Sequence, residues 1–475
     1  MDAARARRAL LVAVAAGLAL FLFVQPGNPY DEAEHLHAAW LIAARGMHPV
    51  RDFFEHHPPL LWDVLALLFR AGIAGPEVLY AARALVVACV AAFAWGAFAV
   101  ARRTPAPDLP GAFAFLLLAL VATIAQQLFV ARPETLATGL LGLALVLWTR
   151  RGVASATFSG ALFALCLAAS PRFIMLAPVF LLAGEPGRRR LAAAAAGGLA
   201  AFGAFLALLC PWRELLFDLR FSALLQRVGL APEVFSLIYL AGCAAGGAFL
   251  AGMAWSTRRI PARAAALWGA YGAVVWAVCF LSAGRFLYAQ AFAPGLLWAV
   301  LFTAWLDAQP AAEGSPSTRP VLLSLALTGA LLAIALQVGA SSLNAYNVFS
   351  QTVSRRMLLS RLPAGASVFL MPEVHPITAD DAGYYGALLS VGICDAAEAY
   401  PQEYPGSAVR VPGCDFLGDL RRARPAAVSR NLYLASRALG LDALRAEIAA
   451  GYEITDALDD APNREFSANV MFRRR

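Results

Sequence analysis

The chain has 475 residues, of which 60% are hydrophobic and only 15% charged. Soluble domains carry about 25% charged residues, so the composition excludes an ordinary soluble globule and puts the protein in the membrane class. The formal net charge is +7 and all 38 basic residues are arginine, a side chain suited to bidentate contact with phosphate.

At the N-terminus, Arg5, Arg7 and Arg8 precede an apolar run from Ala9 to Val24. The run ends without a small-x-small cleavage site, so it reads as an uncleaved first transmembrane helix with its arginines in the cytoplasm. The stretch from Asn28 to Pro59 then falls on the outer face. Within it, residues 33–45 have helical character, with Leu36, Trp40 and Leu41 on one side and Glu34, His35 and His37 towards the other. This helix is expected to lie along the membrane surface. Residues 60–71 are too short to span and carry Asp63 and Arg70, which suits an interfacial helix.

Apolar runs of spanning length follow, and about eleven spans are expected in all, roughly 9–25, 77–100, 111–130, 134–149, 153–169, 171–184, 191–210, 234–255, 264–283, 286–306 and 321–340. Arg102-Arg103, Arg150-Arg151, Arg188-Arg189-Arg190, Arg258-Arg259 with Arg263, and Arg319 recur after alternate spans, the positive-inside pattern. Residues 211–232 read as an amphipathic helix on the outer leaflet, and 307–319 as a polar cytoplasmic loop. After Ala340 the composition turns polar. A helix ending near Leu362, a strand over 367–371, a helix over 441–449 and a terminal strand over 466–472 suggest a small α/β domain outside the cytoplasm.

The expected fold is therefore an α-helical polytopic membrane protein, with a transmembrane domain over 1–340, an outer loop over 26–76 and an extracytoplasmic α/β domain over 341–475. The tail has no GxGxxG, Walker loop, CxxC pair or nucleophile elbow, and the chain has no internal repeat. Of the 7 cysteines, Cys89, Cys166, Cys210, Cys243 and Cys279 read as small core residues, while Cys394 and Cys414 are candidates for a disulfide.

The chain has 6 histidines, and five of them, His35, His37, His48, His56 and His57, lie between Asn28 and Trp62 together with Asp31, Glu32, Glu34, Asp52 and Glu55. Asp31-Glu32 follows the first span through a Pro-Gly-Asn-Pro turn. Glu55 precedes His56-His57-Pro58-Pro59, whose prolines force an extended exit. Acids converging at an interface suit a general base, a metal site or hydrogen bonds to a polyhydroxylated acceptor. A bland alternative is a solvated loop whose acids pair with Arg45 and Arg51. His35 and His37 diverge at i, i+2, and no HExxH is present, so no metal ligand set is assigned, although a divalent metal stays open as a cofactor. Glu373 and His375 of the tail read as a surface loop, with a roof over the site as the alternative.

NPYDEAEH followed by RDFFEHHPPLLW resembles the first external loop of the glycosyltransferase C superfamily. It is nearest the protein O-mannosyltransferase and aminoarabinose lipid A transferase branch. Arg132-Pro133-Glu134 and Gly284-Arg285-Phe286-Leu287-Tyr288 extend the resemblance, which is specific around residues 28–62. It implies inverting transfer of a sugar from a polyprenyl-phosphate donor at the outer face of a bacterial inner membrane. Asp31 matches the residue that acts there as general base, and Glu55 the second acid; Glu32 belongs to the same catalytic group. Where the aminoarabinose branch often has lysine after the second acid, this chain has His56. Glu34, His35, His56, His57 and Tyr288 are then expected around the acceptor or sugar, and Arg132, Arg172 and Arg285 at the donor phosphate. Expected partners are the polyprenyl-phosphate-linked sugar, membrane lipids and a glycan, glycolipid or protein acceptor; no nucleic acid is expected. A flippase for lipid-linked saccharides calls for ionisable residues in mid-span, which these spans nearly lack. A non-catalytic scaffold of the same shape is the other alternative.

Overall fold

The structure is a computed structural model that describes residues 3–25, 29–53, 57–102, 109, 111–124, 128–184, 187–228, 262–283, 292–307, 319–344, 347–383, 391–407, 415–430, 442–455, 458–462 and 464–474. In chain order the helices are α1 (Ala3–Val24), α2 (Pro29–Arg45), α3 (Leu60–Arg70), α4 (Val78–Ala101), α5 (Ala112–Ile124), α6 (Pro133–Thr149), α7 (Val153–Ala169), α8 (Val179–Leu182) and α9 (Arg188–Leu208). They continue with α10 (Trp212–Val228), α11 (Ala262–Ala283), α12 (Ala293–Asp307), α13 (Arg319–Leu343), α14 (Val348–Arg361), α15 (Val391–Glu403), α16 (Phe416–Ala423), α17 (Asp442–Gly451) and α18 (Arg464–Ala468). The strands are β1 (Ser367–Phe369), β2 (Asp380–Asp381), β3 (Ala427–Ser429), β4 (Tyr452–Glu453) and β5 (Val470–Arg473).

Two compact units result, the first made of Met1–Phe23, Leu85–Leu209 and Ala231–Ala340. It is a helical body built from the Ala- and Leu-rich runs. Among the described residues, 4 helices of the chain are long and apolar enough to cross a membrane, and shorter apolar helices accompany them. The run over 171–184 is divided. A 3-10 turn over Pro171–Leu176 precedes the four-residue α8, which starts after Pro178, and both prolines lack the N–H that a continuous helix needs. Close approach of α7 to α9 rests on glycine: a Cβ on Gly160 would collide with the Ala194 backbone, and one on Gly197 with that of Thr157. Cys89, Cys166 and Cys279 are buried in this unit as core residues. The expected span over 234–255, Cys243 and most of the loop over 307–319 lie outside the described residues, as do Cys414 and the side chain of Cys394.

The second unit joins three separated stretches, Val24–Ala84, Cys210–Leu230 and Ser341–Arg475. Its sheet has the order β2-β1-β3-β5-β4. The first three strands are parallel, and β5 runs antiparallel to both β3 and β4. Side chains alternate across the sheet, as period-two strands require. Phe369 and Val428 enter one core with α10, α15, α16 and α17; Val368, Leu370, Ala427 and Val470 enter another with α14 and α18. The apolar face of α10 is thus covered by protein, with the Phe217 ring 5.0 Å from that of Tyr400. Trp212 and Leu219 on the other side of α10 stay exposed, so the expected surface helix also has a covered apolar stripe. The terminal strand is also shorter than expected, because Arg464–Ala468 closes a helical turn before it.

Candidate active site

Helix α2 carries the candidate acids. It starts at Pro29, and Asp31 and Glu32 occupy its first turn, where a carboxylate complements the positive end of the helix dipole. The polar side of α2 is not a solvated face: Glu32, Glu34, His35 and His37 are all buried. Asp31 is half-buried. The Glu32 carboxylate meets the Arg83 guanidinium of α4 at 2.7 Å, with side-chain exposures of 1% and 0%. Glu32 is therefore joined to a buried cation.

His35 points at α3. Its Nδ1 accepts from the Trp62 indole N–H at 3.0 Å, and its ring lies 5.7 Å, edge-on, from that of His57. His57 is half-buried. The bland ion-pair pattern forms in part, at Arg51, but not at Arg45. Arg45 is bound to Asp380 of β2 through two guanidinium nitrogens, and Arg51 to its neighbour Asp52. The hydrogen bond from Arg51 holds the Asp52 carboxyl below its ordinary range. Burial instead pushes Asp63 and Glu214 up, against opposing interaction with His48.

His37 forms a second centre that the sequence reading left unassigned. Its Nδ1 lies 2.7 Å from the Ile377 carbonyl and its Nε2 2.5 Å from Asp381 Oδ2. The other Asp381 oxygen faces His375 Nε2 at 3.1 Å, and His375 Nδ1 accepts from the Ile377 N–H at 3.0 Å. Donor arithmetic fixes the protons. With Nδ1 accepting, neutral His375 must carry its proton on Nε2 and donate it to Asp381. Both nitrogens of His37 face acceptors, so His37 is an imidazolium. Burial alone would lower the His37 pKa, but the charge and hydrogen bond of Asp381 outweigh it and raise it. Burial would raise Asp381, and the two histidines bring it well below the carboxylate range.

His37, His375 and Asp381 bring three donor atoms of metal-binding type within 4.8 Å of one another. Their protonation argues for protons over a metal ion. A metal needs the His375 Nε2 lone pair, and the Ile377 N–H directs the proton to that nitrogen. His375 is buried, correcting its expected place on a surface loop. Arg355 of α14 holds its turn: the buried guanidinium donates to the His375 carbonyl at 2.9 Å, to Gln351 Oε1 at 2.9 Å and to the Glu373 carbonyl at 3.2 Å. Ile377 has a φ of 73°, an outlier for a β-branched residue, and this backbone turn aims its two polar groups at two imidazoles.

In the helical body, Arg132 caps α6 from an extended conformation, with its Nε 3.6 Å from Glu134. Arg172 is half-buried in the Pro171–Leu176 turn, and the Tyr271 hydroxyl donates to the Met175 carbonyl of that turn. Glu55, His56, Arg285 and Tyr288 lie outside the described residues.

The helical body with its C-terminal α/β segment has a fold of the glycosyltransferase C type, by its likeness to a solved structure. The crystal structure of ArnT from Cupriavidus metallidurans bound to undecaprenyl phosphate has this fold and is similar over 98% of this chain and 96% of its own, with a TM-score of 0.51 and 16% sequence identity. No protein-family profile and no curated protein sequence matches the chain.

Proposed function

We propose that the protein is a glycosyltransferase of the bacterial inner membrane that moves a sugar from a polyprenyl-phosphate donor to an acceptor at the outer face, with inversion. The reading is carried by the placement of Asp31 in the first turn of α2, immediately after the first span of a fold shared with an undecaprenyl phosphate-bound protein. In the proposed step Asp31 takes the proton of an acceptor hydroxyl as its oxygen attacks the anomeric carbon. The bond from that carbon to the donor phosphate breaks, and polyprenyl phosphate leaves with the electron pair. Glu55, Glu34, His35, His56, His57 and Tyr288 are proposed around the acceptor and sugar. Arg132, Arg172 and Arg285 are proposed to meet the phosphate, where guanidinium and helix start act together on an anion. Glu32 is assigned to holding the turn that carries Asp31.

The test is transfer from a labelled polyprenyl-phosphate sugar to a panel of envelope glycolipids, polysaccharide intermediates and hydroxyl peptides. Loss of a general base lowers kcat by about 10²–10⁴-fold. Asp31→Asn is expected to show that loss with an unchanged unfolding temperature. Undiminished transfer by this variant removes Asp31 as the base, and an absence of transfer to every acceptor by the unaltered protein favours a scaffold.

A further inference from the structure

Helix α2 is held from one side by two acids that adjoin in the chain. His37 binds Asp381 and, two turns on, Arg45 binds Asp380. The two contacts differ in kind. Side-chain exposure is 45% and 39% for the Arg45–Asp380 pair, but 4% and 13% for His37 and Asp381. Exposed pairs contribute little, whereas a buried one with its remaining polar atoms satisfied fixes geometry.

We propose that β2 of the C-terminal segment is a clamp for helix α2, and that His37 is its positioning residue, holding the helix through an imidazolium bound between Asp381 and the Ile377 carbonyl. The inference rests on the reading of Asp31 as the base, because α2 is the helix whose first turn carries Asp31. It gives the C-terminal segment a task, the alignment of a helix that follows the first span. Four described charged or titratable groups around His37 belong to the device. Asp381 supplies the counter-charge. His375, its ring centroid 4.1 Å from that of His37, donates to the far oxygen of Asp381. Arg355 fixes the His375 backbone, and Asp380 adds negative potential while bound to Arg45.

The sign of the pH response follows. A histidine with a raised folded pKa contributes stability below its unfolded value, near 6.5, and loses it as pH rises through the folded value. Asp381, with a depressed pKa, stays ionised throughout this window. The His37 contact is therefore lost on the alkaline side, as pH rises through its raised folded pKa.

The experiment is hydrogen–deuterium exchange of the full-length protein in lipid nanodiscs, read on peptides covering 29–45 between pH 6 and 9 after correction for intrinsic exchange. Protection of these peptides is expected to fall across that range, as His37 loses its proton. Asp381→Asn is expected to remove the pH dependence, and Asp380→Asn to keep it. A flat profile in the unaltered protein overturns the proposal, as does a pH dependence that survives in Asp381→Asn. Protection lost to EDTA and restored by Zn²⁺ overturns it too, by showing that a metal holds these groups. None of these outcomes needs transferase activity, so failure of the clamp and failure of the catalytic reading are separable. With transfer established, Asp381→Asn is expected to lower kcat with little change in KM and to shift the alkaline limb of the pH profile downwards.

Discussion

Arg83 places its guanidinium 2.7 Å from the Glu32 carboxylate, and neither side chain reaches solvent beyond 1%. This pair ties the first turn of α2 to α4, one residue after Asp31. A charge so buried is tolerated only with its partner in place, and that makes the two residues a unit.

Removing either member is therefore expected to be far worse than removing both. Arg83→Met removes the 2.7 Å partner of a buried carboxylate and is expected to cost about 3–5 kcal/mol. Arg83→Met combined with Glu32→Leu is expected to recover most of that loss. Unfolding temperatures of the four proteins in detergent supply the cycle, and additive losses would mean that the pair does not act as a unit.

His375 carries the acid-side response of the α2 clamp. Burial, and after it the His37 cation, hold its pKa down at about 4, against 6.5 in an unfolded chain. Between those values the unfolded state binds more protons, so stability falls as the pH drops through this window, by on the order of 3 kcal/mol at its lower end. His375→Gln is expected to flatten the dependence of unfolding temperature on pH below 6.5, even if it lowers the temperature itself. Parallel curves for the two proteins would assign the acid response elsewhere.

The indole of Trp62 orients His35, and both side chains are buried. Trp62→Phe keeps most of the ring volume and removes the donor, leaving His35 Nδ1 without that bond. A cost of about 1–3 kcal/mol is expected from the orphaned acceptor alone. A thermal shift within experimental error of zero would show that the ring nitrogen finds another donor.

Much of this architecture was legible in sequence because spans, positive loops and helix periodicity are local signals. The end of α2 at Arg45, the interfacial length of α3 and the end of α14 all follow from runs a few residues long, whereas α2 starts four residues before the expected Ala33, at Pro29. The partners of those elements did not follow. Glu32 and Arg83 are 51 residues apart, and Arg83 lies near the start of an apolar run with no local sign of its partner. His37 and Asp381 are separated by 344 residues, with nothing in either neighbourhood that specifies the other. The one available signal was the Asp380-Asp381 doublet close after His375, an acid pair beside a histidine in a tail otherwise without motifs. The buried face of α10 was missed for a similar reason: amphipathicity reveals an apolar stripe but not whether lipid or protein covers it.

The separation of His37 from Asp381 also has a bearing on biogenesis. At roughly 5–20 residues per second, synthesis of the 344 residues between them takes on the order of 15–70 s. For that interval the nascent α2 has its histidine and Arg45 but neither of their carboxylate partners. The helix bearing the proposed base is thus completed late in translation, when β2 emerges. A chain that stalls before Asp380 would carry α2 without the His37 and Arg45 contacts that are proposed to align it.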